Sequence, residues 1–172
     1  MRNPRKRRSF FSYLKDQNCA IYLLQETFSQ PQKNFFSHGS NHQKGVAIFI
    51  TPLCEITFEN SWEDEDGRIV LINAYFKTLK FSLCNIYAPS NTAFQKVFIE
   101  NLTEILIMKA DISNLVIVGD WNVTLEAIDK KGGIQWKSSV YRDLLAIAPD
   151  HKAIRLFLQF ESKKGSWSME FQ

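Results

Sequence analysis

The sequence predicts a layered α/β (α+β) domain, and three observations carry that expectation. Short runs rich in β-branched and aromatic residues recur through the first half of the chain. One longer segment, Phe94 to Lys109, switches to helical spacing, and a further apolar run, Leu115–Val118, follows it closely. An order that mixes hairpins with helical crossovers requires helices to cover sheet faces. At 172 residues, with 45% apolar and 23% charged side chains, the chain suits one domain with its own core, expected to span 1–172. No stretch approaches the roughly 18 apolar residues of a membrane span, and no apolar run follows the basic start as in a signal peptide. The expectation is therefore an intracellular protein with no membrane partner, its oligomeric state left open.

The elements can be justified in chain order. Asn3-Pro4 offers a cap followed by a residue tolerated in a first helical turn, and Phe10, Phe11 and Leu14 then share one face, which predicts a short amphipathic helix to Lys15. Ala20–Gln25, Gly45–Thr51, Arg68–Phe76 and Leu79–Tyr87 are strand-length apolar runs. The polar stretch Phe28 to Gln43 reads as a solvated connection. Only Lys77-Thr78 separates the last two runs, which predicts a hairpin, although that pair lacks the Asn-Gly chemistry that would fix its register. Phe94, Val97, Phe98, Leu102, Ile105 and Leu106 recur at helical spacing behind a polar Ser90-Asn91-Thr92 entry. Val140, Leu144 and Leu145 suggest a shorter helix, and Ala153 to Phe160 alternates as a strand.

Cys19, Cys54 and Cys84 are widely spaced, without CxxC or a histidine at ligand spacing, and read as buried thiols. The formal charge of +3 is a feature of the start: Arg2, Arg5, Lys6, Arg7 and Arg8 are five of 21 basic residues, which leaves 16 against 18 acidic ones. Such a cluster suits phosphate contacts or a nuclear import signal, but a short basic run is more often a solvated chain end.

Chemistry-bearing residues gather at strand ends. Glu26 closes an apolar run, where a carboxylate can hold a hard cation or simply end the strand. Asp120 and Asn122 follow Val116-Ile117-Val118-Gly119, and their i, i+2 spacing in extended chain would direct both to one side. An acid and an amide placed so can orient a water and donate to a phosphoryl oxygen; an Asx turn after a buried strand is the alternative. Asp150-His151 stands behind Pro149 and just before the last alternating run, which makes His151 the histidine best placed for general-acid work. Tyr87 ends its strand, with a hydroxyl able to reach a phosphate or a ring able to pack at the sheet end.

Taken together, the order and phrasing of these segments resemble the endonuclease/exonuclease/phosphatase superfamily, in particular the endonuclease domains of LINE-type retrotransposons. The likeness rests on Ile21-Tyr22-Leu23-Leu24-Gln25-Glu26-Thr27, Lys44-Gly45-Val46-Ala47-Ile48-Phe49-Ile50, Gly67-Arg68-Ile69-Val70 and Asn85-Ile86-Tyr87-Ala88-Pro89-Ser90. It continues in Gly119-Asp120-Trp121-Asn122, in Asp129-Lys130-Lys131-Gly132-Gly133, and in Pro149-Asp150-His151, similar to the family's SDH motif. The resemblance implies a four-layer α/β sandwich with its site at the strand ends, and Mg²⁺- or Mn²⁺-dependent hydrolysis of DNA. It implies metal binding by Glu26, with Asp150 supporting the metal or His151. Asp120 would handle the water or the leaving oxygen, Asn122 and Tyr87 would hold the phosphate, and His151 would stabilise developing charge.

Two family elements have no counterpart here: a first strand carrying a metal-binding Asn, and, between 123 and 149, an RxDY-like strand whose Asp orients the histidine. Pro149 also stands where the family has Ser. The expectation is thus an incomplete fold with impaired hydrolysis; a catalytically inactive remnant with at most nucleic-acid binding is the alternative. A substrate change to a phosphorylated sugar, lipid or RNA is a further reading, against which the Asp129–Gly133 segment argues.

Overall fold

In the computed structural model, the structure describes Ser9, residues 12–14, Asp16 and residues 19–25, 35–37, 45–52, 55–122 and 155–158. Eight strands fall into two sheets. The smaller has the order β1 (Ile21–Gln25), β3 (Val46–Ile50), β2 (Phe35–Ser37), antiparallel throughout. The larger runs β4 (Ile56–Glu63), β5 (Ile69–Phe76), β6 (Leu79–Tyr87), β7 (Leu115–Asp120), β8 (Arg155–Leu158). Its first three strands are antiparallel and its last three parallel. The parallel step from β6 to β7 needs a crossover, supplied by helix α1 (Thr92–Lys109) and a 3₁₀ turn, Ile112–Asn114.

The alternation along β5 explains the layering. Ile69 and Leu71 pack with Cys84, Ile86, Leu115 and Ile117 against Phe98, Ile99, Leu102 and Leu106 of α1. Val70, Ile72 and Ala74 point the other way, joining Leu83 and Val118 against Val46 and Ile48 of the small sheet. With both faces covered, β5 and β6 read as largely apolar runs rather than alternating ones, interrupted by buried Asn73, Ser82 and Asn85. On the far side of the small sheet, the Tyr22 hydroxyl donates to the carbonyl of buried Leu14, in a helical stretch, and accepts from the Cys19 N–H at 3.0 Å. The order of layers is helix, sheet, sheet, helical stretch. The expected α/β sandwich is therefore present, incomplete among the described residues.

Several expectations are met in detail. Asn91 caps α1, its side chain accepting from the Ala93 N–H at 2.9 Å. The β5–β6 hairpin turns on Lys77-Thr78 with Phe76 opposite Leu79, so its register is defined, and Lys77 takes φ 56° to make the turn. Others need correction. Phe94 and Val97 are exposed, because the buried stripe of α1 runs through Gln95, Phe98, Ile99, Leu102 and Leu106. The connection Phe28 to Gln43 contains β2, held where the Ser37 hydroxyl donates to the Asp64 carboxylate at 2.7 Å. Of the three cysteines, Cys84 is buried, Cys19 only half so, and Cys54 lies outside the described residues, as do the Val140–Leu145 segment and Phe10 and Phe11.

At the far end of α1, polar groups replace the core. The Asn73 amide donates to Asn60 Oδ1 at 2.7 Å and to the Lys109 carbonyl at 2.8 Å. Its oxygen accepts from the Ser82 hydroxyl at 2.5 Å, and that hydroxyl accepts from the Asp111 N–H at 2.6 Å. A carbonyl of the last helical turn, without a partner inside the helix, is thereby satisfied from the sheet.

Candidate functional site

The parallel register of β6 and β7 sets Tyr87 opposite Asp120, so both strands deliver their last residues to the same edge of the large sheet. Parity fixes the direction. Leu83 and Tyr87 on β6, and Val116 and Val118 on β7, pack toward the small sheet, and Asn85 and Asp120 share that parity. On the small sheet, Ile21 and Leu23 face the same interface, and Gln25 continues their row. Asn85, Tyr87, Asp120 and Gln25 thus meet at one mouth between the two sheets.

Asn85 is fully buried there and fully used. Its amide donates to the Leu24 carbonyl at 3.0 Å and to the Ala47 carbonyl at 2.9 Å, while its oxygen accepts from Gln25 Nε2 at 2.7 Å. One side chain of the large sheet therefore holds both β1 and β3 of the small one, immediately before the position of Glu26. A polar residue inside the run Leu83-Cys84-Asn85-Ile86 was the signal for it.

At the end of β7, Gly119 has φ 149° and lies so close to β6 that a Cβ would stand 2.0 Å from the Ile86 carbonyl oxygen. Only glycine fits that approach. Beyond it the strand stops at Asp120. Asn122 adopts φ 50°, its N–H donating to Asp120 Oδ1 at 2.9 Å and its Nδ2 to the Ala88 carbonyl at 2.8 Å. The pairing of Asp120 with Asn122 is therefore an Asx turn, not two side chains projecting from extended backbone as the spacing suggested. The second Asn122 amide hydrogen has no partner among the described residues.

The Tyr87 ring packs at the sheet end, and the Arg68 guanidinium lies over it at 5.6 Å from the centroid while donating through Nη1 to the Tyr87 carbonyl at 2.9 Å. Arg68 is itself placed by Asp64, whose Oδ1 accepts from the N–H groups of Arg68 and Ile69, each at 2.8 Å. Gln95, in the first turn of α1, donates to the Pro89 carbonyl at 2.7 Å and the Asn122 carbonyl at 3.1 Å. Arg68 and Gln95 went unremarked in the sequence, since a charged residue at a strand start and an amide in a helix carry no pattern of their own.

Tyr87, Asp120 and Asn122 are thus brought together. Glu26, Asp150 and His151 lie outside the described residues. Glu26 directly follows Gln25 at the mouth. His151 precedes β8, and β8 runs parallel to β7 with Arg155 beside Val116, so the chain enters it at the end of β7 remote from Asp120. Among the described residues no three His, Cys, Asp or Glu side chains cluster as metal ligands. Cys84 is no candidate ligand for the mouth, since its parity turns it toward α1 and burial, reinforced by the Asp64 charge, pushes its thiol well above the usual range.

No family model matches the chain. In sequence it is 25% identical over 158 residues to the Transposon TX1 uncharacterized 149 kDa protein of Xenopus laevis, covering 84% of this chain and 12% of that protein. In structure it is similar to the endonuclease domain of TRAS1, a telomere-specific non-LTR retrotransposon, with a TM-score of 0.57 and 13% identity over 77% of this chain and 62% of that one. It is also similar to D. rerio TDP2 complexed with single strand DNA product, with a TM-score of 0.50 and 17% identity over 68% of this chain and 53% of that one. At these identities the structural likeness is one of fold. The chain spans about an eighth of the transposon protein and 62% or less of either structure. No helix among the described residues is long and apolar enough to cross a membrane.

Proposed function

We propose, on a fold of the endonuclease/exonuclease/phosphatase type, that this chain is a retrotransposon-type endonuclease that hydrolyses DNA phosphodiester bonds with a divalent metal ion. The observation that carries the reading is the convergence of Tyr87, Asp120 and Asn122 at the shared exit of β6 and β7, facing the end of β1 that leads into Glu26. The donors gathered there are carboxylate, amide and carbonyl oxygens, hard ligands suited to Mg²⁺ or Mn²⁺. Glu26 would hold the metal, with Asp150 in support. When bound, such an ion neutralises phosphoryl charge and lowers the pKa of a water.

The chain's own groups do the rest. Asp120, held by the Asn122 N–H, positions the attacking water and takes its proton, or returns a proton to the leaving oxygen. Asn122, through its second amide hydrogen, and Tyr87, through its hydroxyl, donate to the phosphate oxygens. His151 stabilises the charge that develops.

One observation favours a second reading, a remnant that binds nucleic acid without cleaving it. For His151 to reach Asp120, the four residues before Arg155 must double back along β7, a span of about 13 Å against a fully extended reach of ~14 Å. The test is nicking of supercoiled plasmid with Mg²⁺ or Mn²⁺, beside EDTA, Glu26→Gln, Asp120→Asn and His151→Ala. Metal-dependent nicking lost in the Glu26 and Asp120 variants supports the endonuclease, and its loss in the His151 variant places that residue in the site. Folded protein that retards DNA in a gel without nicking it supports the remnant.

A further inference from the structure

We infer that Gln95 is a positioning residue, locking the Asp120–Asn122 turn to the turn that follows Tyr87; the inference rests on the hydrolytic reading of this site. Gln95 is 3% exposed, and both of its amide hydrogens are spent on backbone carbonyls of those two turns, Pro89 at 2.7 Å and Asn122 at 3.1 Å. The orientation of the amide is determined, because the reverse placement would set an oxygen against two carbonyl oxygens. Its own oxygen, buried, has no partner among the described residues.

An unpaired buried acceptor is destabilising, and a Met or Leu of similar size would fill the space without it. Apolar packing alone therefore does not call for an amide at this position, and its two donated bonds do. What the amide supplies is a tie from α1 to both of the turns that leave β6 and β7. Asn122 sits at φ 50°, a conformation uncommon outside glycine, and its two other described attachments are its N–H to Asp120 and its side chain to Ala88, whose own N–H donates to the Asp120 carbonyl at 2.8 Å. Gln95 is the one contact among these that fastens the turn to α1 as well as to the end of β7. Releasing the Asn122 carbonyl loosens the turn whose N–H donates to the Asp120 carboxylate.

The test uses the full chain with Gln95→Met, which keeps volume and removes both donors, and Gln95→Glu, which sets a carboxylate oxygen against the same two carbonyls. Backbone amide exchange is read residue by residue, and nicking is read as kcat and KM. The expected result for Gln95→Met is exchange at Asn122 at least tenfold faster with β5 and β6 amides unchanged, and kcat at least tenfold lower at a KM within twofold. Gln95→Glu should lower kcat further and fail to rescue it. Unchanged exchange at Asn122, or uniform acceleration at every amide, overturns the positioning role. Should wild type nick nothing while Asn122 exchange still responds, the hydrolytic reading fails and the mechanical tie stands.

Discussion

Replacing Asn85 by Asp tests the clasp between the two sheets with a change of a single atom. In the native arrangement the amide nitrogen donates to the carbonyls of Leu24 and Ala47, and the oxygen accepts from Gln25. In Asn85→Asp the nitrogen becomes an oxygen facing those two carbonyls, fully shielded from water. Two bonds of about 1 kcal/mol net are lost and two carbonyls lose a partner, so the ionised variant should be destabilised by roughly 3–5 kcal/mol, a large part of the ~5–15 kcal/mol typical of a domain. Burial among carbonyl oxygens raises the folded pKa of the new carboxyl above its unfolded value of about 3.9, because the protonated form can donate one bond back. The sign follows. Stabilisation by protonation is complete below pH ~4 and is lost as pH rises through the folded pKa, with a slope of up to ~1.4 kcal/mol per pH unit. Urea unfolding of variant and wild type from pH 4 to 8, followed by tryptophan fluorescence, gives the difference directly. A penalty under about 1 kcal/mol, or one that does not change with pH, would refute the clasp.

Gly119→Ala should cost at least about 3 kcal/mol or prevent folding, since its Cβ would meet the Ile86 carbonyl oxygen at 2.0 Å on a backbone at φ 149°; soluble yield and urea midpoint report it. Lys77→Gly, relieving a left-handed φ of 56° in the hairpin, should stabilise by roughly 0.5–1 kcal/mol and raise the melting temperature by ~1–4 °C. Native protein treated with iodoacetamide at pH 8 should leave Cys84 unmodified until urea is added, as peptide mass mapping will show. Because that thiol is raised in the folded state, its contribution to stability is intact below the unfolded pKa of about 8.5 and declines above it, and Cys84→Ala should flatten the decline.

What the sequence made legible, and what it hid, have physical causes. β5 and β6 were readable because burial on both faces demands largely apolar runs, and α1 because one covered face imposes its period. β4 escaped notice. Ile56 and Trp62 are six residues apart, which in a regular strand sets them on one face, yet Ile56 packs toward the small sheet and Trp62 toward α1. The irregularity between Phe58 and Asn60 inserts one residue and reverses the parity, erasing the alternation that marks a strand. β2 is three residues long and depends on the Ser37 contact with Asp64, which no local window contains. At the candidate site, Asp120, Asn122 and Tyr87 stood out as polar groups ending apolar runs. The residues that hold them, Asn85, Arg68 and Gln95, act through partners 6 to 61 positions away, most of them beyond any local window.

Helix α1 is pinned at both ends by side-chain amides, Gln95 reaching out at its start and Asn73 reaching in at its finish. From Gln95 to Lys109 these pins stand ~21 Å apart, so the helix behaves as a strut under fixed end conditions. It cannot slide or roll by a fraction of a turn at one end without breaking hydrogen bonds at the other. Loosening the Asn60–Asn73–Ser82 cluster should therefore be felt at the Asn122 turn as a change of position, transmitted along the longest helix among the described residues.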